Sequence, residues 1–166
     1  AFQIISKKNL KKIRLIVIGE GSMKQWLLAQ VKINNLNHLI EVHEKYPFYR
    51  MPSFFKHADA LLVSLTNKKV FSMTIPGKIQ SYLASGIPII AMINGEGASI
   101  IKKARAGKVC GAGEFKKLAN IIETLSNESD SKLKEYGANG RKYANKEFNR
   151  KKLIDKLNNF FIDLVE

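Results

Sequence analysis

The chain has 166 residues, 45% of them hydrophobic and 25% charged, which supports one compact domain with a sizeable core and excludes a disordered tail. Lys and Arg number 28 against 14 Asp and Glu, a net charge of +14 that excludes an acidic protein and admits nucleic acid, anionic lipid or phosphorylated substrates as partners. The basic residues are spread along the whole chain, and Lys, Ile and Asn are all abundant, so compositional bias explains much of the excess.

Residues 2–9 read as the end of a helix, because Phe2 and Ile5 precede Lys7 and Lys8, a basic pair suited to a helix carboxyl end. Residues 13–18 are a β-branched strand that runs into Gly19-Glu20-Gly21-Ser22, and Met23, Trp26, Leu27 and Val31 then recur at helical spacing. A weaker strand at 39–42, a short helix at 52–57 and an apolar strand at 60–65 follow. After an irregular stretch, Ile75, Ile79, Tyr82 and Leu83 share one helical face that stops at Gly86, and residues 87–93 form a buried strand. Asn94-Gly95-Glu96-Gly97 opens a helix ending near Gly107, residues 108–110 are a last short strand, and an amphipathic helix spans 115–125. Two further helices, over 133–148 and 153–164, would pack on the flank of the sheet or reach a neighbour. Short apolar strands alternating with helices mean βαβ units, and the fold class is α/β, a Rossmann-like parallel sheet with helices on both faces.

Cys110 is the only cysteine, which excludes an internal disulfide or a thiolate zinc cluster and fits a reducing compartment. No apolar run approaches the ~18 residues of a membrane-spanning helix, so any membrane contact would be peripheral. The opening residues show no signal pattern, and the chain reads as a fragment. His38, His43 and His57 have no metal-ligand spacing and are assigned no ligand role; no metal is expected.

In a parallel sheet ligands bind at the carboxyl ends of the strands, where the loops at 19–22, 45–51, 66–76 and 94–97 would gather. Gly19 and Gly21 could let a nucleotide approach the backbone, or could serve the turn alone, since a third glycine and a P-loop ending are both lacking. Pro76 fits the first helical position, with Thr74 or Ile75 near the cap and the free amides of Gly77 and Lys78 at the positive end of the helix dipole. A lysine so placed disfavours the helix by roughly 0.3–1 kcal/mol, a conflict that an external negative group such as a diphosphate would remove, the alternative being a solvated lysine in a basic protein.

The strand with Gly19-x-Gly21, the run Ala58-Asp59-Ala60-Leu61-Leu62-Val63-Ser64 and the stretch from Pro76 to Ile90 resemble the nucleotide-sugar-binding carboxyl-terminal half of GT-B glycosyltransferases. The resemblance extends from about Leu10 to Glu166 and is nearest to the retaining group 1 (family 4-like) enzymes of bacterial surface polysaccharides such as capsule and lipopolysaccharide. It implies a nucleotide-sugar donor, with UDP expected, a lipid-linked glycan acceptor, no cofactor beyond the donor, and a cytoplasmic location with contact to the inner membrane face left open. It also implies an amino-terminal acceptor half outside this sequence, so that residues 1–166 alone would not catalyse transfer.

The family's segment carries two glutamates, the second opening Glu-Ala-Met-Ala-x-Gly-x-Pro and holding the donor ribose. Matching Ala84, Gly86 and Pro88 to that pattern puts Ser81 at the second glutamate and Met73 at the first, so both carboxylates are absent. Ser81 can still hydrogen-bond a ribose hydroxyl, and Gln80 beside it is a second candidate. By the same resemblance, the amides around Ile75 to Gly77 hold the diphosphate with Lys78 beside them, and Tyr46 and Met51 flank the base. Phe48, Phe54 and Phe55 are equally explained by core packing. Two other functions compete: a UDP-sugar epimerase or hydrolase on the same scaffold, which would need carboxylates at the sugar, and a basic nucleic-acid-binding module, which lacks a recognised motif. Nucleic acid is therefore not the expected partner.

The resemblance has one structural consequence. In the strand order 3-2-1-4-5-6 the central strand would precede residue 2, so a longer chain or a second copy is expected to supply a strand between 13–18 and 60–65. Direct pairing of those two strands would instead mean that the domain begins elsewhere.

Overall fold

A computed structural model describes residues 1–8 and 13–164. Helix α1 (Phe2–Lys7) precedes strand β1 (Leu15–Ile18), helix α2 (Lys24–Ile33) and strand β2 (Ile40–His43). A 3-10 turn (Phe48–Arg50) runs into α3 (Met51–Phe55), and β3 (Leu61–Ser64), α4 (Lys69–Ser72), α5 (Gly77–Ser85), β4 (Ile89–Met92), α6 (Glu96–Ala104) and β5 (Gly107–Cys110) follow. The chain closes with α7 (Phe115–Ser126), α8 (Asp130–Glu147) and α9 (Arg150–Asp163). Asn9, the last residue of the helix end expected at 2–9, lies outside the described residues.

All strand pairs are parallel. β1 pairs with β2 in one sheet, and β3, β4 and β5 form a second in that order. Side chains along β4 alternate between two cores, as strand geometry requires. Ile89, Ala91 and Ile93 meet Ile79 and Leu83 of α5 and Ile101 of α6, while Ile90 joins Cys110, Leu118 and Ile122 beneath α7. The second of these cores also takes in Ile5, Val31 and Ile40, so α1, α2 and α7 cover one face common to both sheets. The opposite face of β3–β5 is covered by α5, α6 and α8, whereas Ile16 on β1 is 47% exposed.

β1 and β3 do not pair with each other, and among the described residues each has one edge without a strand partner. The domain therefore does not close its sheet with these five strands. Helix α6 ends at Ala104 rather than near Gly107, because Arg105 turns into the left-handed region (φ 50°) and frees Gly107 to start β5. The expected irregular stretch after β3 contains α4, four residues too short to show a helical period. Of the two terminal helices, α8 packs on α5, where a Cβ on Gly137 would overlap the carbonyl oxygen of Gly86. α9 buries no residue.

In a parallel ladder alternate amides point to opposite sides. Leu15 and Gly19 donate toward β2, and Leu61 and Leu65 toward β4, which leaves the amides of Ile16, Ile18, Leu62 and Ser64 on the free edges. Amide hydrogen exchange in dilute solution should be at least about tenfold faster at these four positions than at Ile90, Ala91 and Met92, which are hydrogen-bonded within the sheet. Equal protection would mean that another strand fills the place.

Candidate functional site

Parallel strands deliver their carboxyl ends to one edge of their sheet, and the segments that follow β1 and β2 in one sheet and β3, β4 and β5 in the other begin at such an edge. At the start of α5, Pro76 is the N-cap (φ −58°, ψ 132°), so the helix begins one position later than the sequence suggested, because the extended ψ of Pro76 cannot belong to a helical residue. Gly77 and Lys78 are then the first two helical residues, whose amides have no partner inside a helix. No side chain caps this end, and the nearest local bond is from Ile79 N–H to the Pro76 carbonyl at 2.9 Å. The Lys78 side chain is exposed and has no ion pair among the described residues. No carboxylate occurs in the sequence between Asp59 and Glu96, while Lys68, Lys69 and Lys78 do, so this part of the edge is positive.

Ser81 lies three residues after Lys78, on the same side of α5, and its Oγ donates to the Gly77 carbonyl at 3.3 Å, leaving its lone pairs available. Gln80, two residues from Lys78, falls on the opposite side of the helix. Before α5, Met73 is 73% exposed and Ile75 36%. The Thr74 Oγ1 donates to the Val70 carbonyl at 3.3 Å and the Ser72 Oγ to the Lys69 carbonyl at 2.7 Å, which folds the segment on itself.

The two glycines after β1 differ. Gly19 sits at φ +143°, a conformation that favours glycine, whereas Gly21 has no positive φ. A Cβ at either would meet nothing within 4 Å, so close packing requires neither. After β2, the ring of Tyr46 rests on Phe54 with centroids 4.9 Å apart, and Met51 opens α3, half-buried. Phe55 meets Tyr82 of α5 edge-on at 5.4 Å, which brings the segment after β2 against the helix that carries Lys78 and Ser81. Burial there pushes the Tyr82 phenol above its ordinary pKa. Phe48, a candidate for the core, is instead 84% exposed.

Other polar residues at this edge were not singled out from the sequence. Asn94, just past β4, bonds to Asn67 after β3 and to the Ala112 amide after β5. Glu114 accepts from the Gly111 amide at 2.6 Å and pairs with Lys117. The hydrogen bond from Lys117, and then that amide, hold the Glu114 carboxyl below the usual carboxylate range. A cleft of about 490 Å³ opens between α6 and α7, lined in part by Asn94, Ser99, Lys102, Glu114 and Lys117. The sequence signal was the Asn-Gly after an apolar strand, which marks a turn but does not reveal its partners.

The family model of the group 1 glycosyl transferases ("Glycosyl transferases group 1") matches residues 1–128. The chain belongs to that family. No curated protein sequence matches it. Among solved structures, that of a point mutant of TarM from S. aureus, with fondaparinux, α-GlcNAc-glycerol and UDP, is similar at 17% identity and a TM-score of 0.78, over 97% of this chain and 31% of that one. The Anabaena Alr3699/HepE structure with UDP is similar at 16% identity and TM-score 0.75, over 95% and 44%. The carboxyl-terminal domain of the group 1 family protein LpcC from Francisella tularensis is similar at 19% identity and TM-score 0.70, over 89% and 75%. The chain thus spans less than half the length of the first two, and its fold is that of the carboxyl-terminal half of a GT-B enzyme.

At the far end of this edge, Cys110 is buried with its Sγ 3.6 Å from the Ala91 carbonyl, and burial, then the charge of Glu114, push its thiol up. A disulfide reagent at pH ~8 should therefore label Cys110 slowly in the folded protein and fast in denaturant. Equal rates would place the thiol at the surface.

Proposed function

We propose that this chain is the donor-binding part of a glycosyltransferase, that its donor is a UDP-sugar, and that transfer is retaining, to a lipid-linked glycan. The observation that supports this most is the start of α5: two amides without acceptors, Lys78 beside them, and no carboxylate nearby, at the edge where the strands end. The similar TarM and HepE structures are complexes with UDP, which supports the choice of nucleotide. Ser81, Gly19, Gly21, Tyr46 and Met51 would then border the ribose and base, with Met73, Thr74 and Ile75 toward the sugar.

In the proposed reaction the acceptor hydroxyl oxygen bonds to the anomeric carbon on the face from which the diphosphate departs. The carbon–oxygen bond to the diphosphate breaks, and the hydroxyl proton passes to the leaving phosphate. The contribution of these residues is electrostatic: Lys78 and the dipole of α5 stabilise the charge that builds on the leaving oxygen. The acceptor would be held by a part of the protein outside residues 1–166. The absence of carboxylates from 60 to 95 supports transfer over epimerisation or hydrolysis, which need acid–base groups at the sugar. Among the described residues no helix is long and apolar enough to cross a membrane.

Isothermal titration with UDP should show one site per chain. Absence of binding by any nucleoside diphosphate would overturn the reading. Lys78→Ala should weaken UDP binding about ten- to a hundredfold, the effect of losing a hydrogen bond to a charged group, with the melting temperature of the unliganded protein slightly raised rather than lowered. Unchanged affinity would remove Lys78 from the phosphate site.

A further inference from the structure

Residues 94–97 form the turn between β4 and α6, and none of them enters the donor reading. The segment that follows β3, residues 66–76, is anchored on this turn at three points. The backbone ladder of the three-stranded sheet ends with Leu65 N–H to the Met92 carbonyl at 3.2 Å on one side and Ile93 N–H to the Cys110 carbonyl at 3.0 Å on the other. Asn94 continues the ladder by one rung in both directions with its side chain. Its Nδ2 donates to Asn67 Oδ1 at 2.9 Å, and its Oδ1 accepts from the Ala112 amide at 3.0 Å.

The second anchor is Gly95. It sits at φ +76°, ψ −148°, and a Cβ there would overlap the carbonyl oxygen of Ser72, so only glycine lets α4 come down onto the turn. The third is Gly97, which is buried. A Cβ there would come within 2.7 Å of the Ile79 Cδ1 and 3.4 Å of the Pro76 Cδ, so the first turn of α6 lies directly under the start of α5. Asn67, Ser72 and Pro76 are thus all tied to four consecutive residues.

We infer that residues 94–97 are a positioning platform for the diphosphate end of the donor site, an inference that rests on the donor reading of α5. The platform acts through residues 72–77 and touches no reacting atom. Its effect is to set the backbone amides near Pro76 before ligand arrives, so that binding does not have to order a free eleven-residue segment. A mere packing role would stabilise the fold without discriminating between ligands. A positioning role requires that loosening the platform weaken the grip on the second phosphate more than the grip on the base and ribose.

Asn67→Ala removes the first anchor while leaving the bond from Asn94 to Ala112 and both glycines in place. Hydrogen exchange should speed up at the hydrogen-bonded amides of Lys68, Phe71 and Ile79 and stay unchanged in β4, and Asn67→Asp, which keeps the accepting oxygen, should restore slow exchange. In titrations of the same variant, UDP affinity should fall about five- to tenfold and UMP affinity less than twofold, a loss on the scale of one hydrogen bond. Gly95→Ala should show the same selectivity more strongly, because its overlap is with backbone. If the parent protein binds UDP but Asn67→Ala leaves exchange and affinity unchanged, or weakens UMP and UDP equally, the platform is wrong and the donor site stands. If the parent binds neither nucleotide, the donor reading fails and takes the platform with it.

Discussion

The ligand edge depends on β4, the strand hydrogen-bonded on both sides within the described sheet. Ile89 and Ala91 are fully buried and Ile90 nearly so, with helices over both faces. When both faces are apolar, burial alone does not set the register, since a slip of one residue exchanges one buried face for the other. Gly107 supplies the missing constraint. It is opposite Ile89 at φ +156°, and a Cβ there would overlap the Ile89 carbonyl oxygen. The position of β5 against β4 is thereby fixed, and with it the place where both strands end and Asn94 begins.

Burial carries this arrangement, and charge contributes little to it. The ion pairs among the described residues include surface pairs such as Arg14–Glu41 and Lys132–Glu135, which solvent screens and which contribute little to stability. Full burial of a side chain like Leu83 or Ile79 contributes roughly 1.5–3 kcal/mol. The +14 charge is accordingly spread over a surface that does not need it for folding. α8 shows the same logic in its small residues: Gly137, Gly140 and Ala144 are buried, and the two glycines let its backbone approach α5 and Gly86.

How much of this was legible depended on whether the cause was local. The apolar runs around Ile16, Leu62 and Ile90 marked strands because β-branched and leucine side chains bounded by polar turns have few alternatives. The left-handed cap at Gly86 and the spacing of Lys78 and Ser81 were likewise local and readable. The exact helix start was not, because Pro76 suits both the cap and the first turn and only its ψ decides. The contact of Gly95 with Ser72 and the bond of Asn94 to Asn67 join residues far apart in the chain, and nothing in either segment names the other. Phe48 was misleading in the opposite sense: an aromatic in a short apolar cluster resembles core, but Phe48 and its neighbour Tyr49 stand exposed to solvent.

The unfavourable position of Lys78 can now be weighed. A cation in the first turn of α5 opposes the helix dipole by roughly 0.3–1 kcal/mol, and no carboxylate among the described residues offsets it. That cost is small beside the burial of Ile79 and Leu83 on the same helix, both fully enclosed, so the fold tolerates it without a local counterion. A site can hold such a conflict only where the rest of the helix is secured by other means, and α5 is secured by β3 and β4 beneath it, α8 beside it and the turn at Gly97 under its start. The same rigidity keeps the lysine and the free amides from relaxing away from one another. On the proposed donor reading, an arriving diphosphate would meet positive groups whose mutual repulsion has already been met by packing, and its charge would be matched with little reorganisation of the protein.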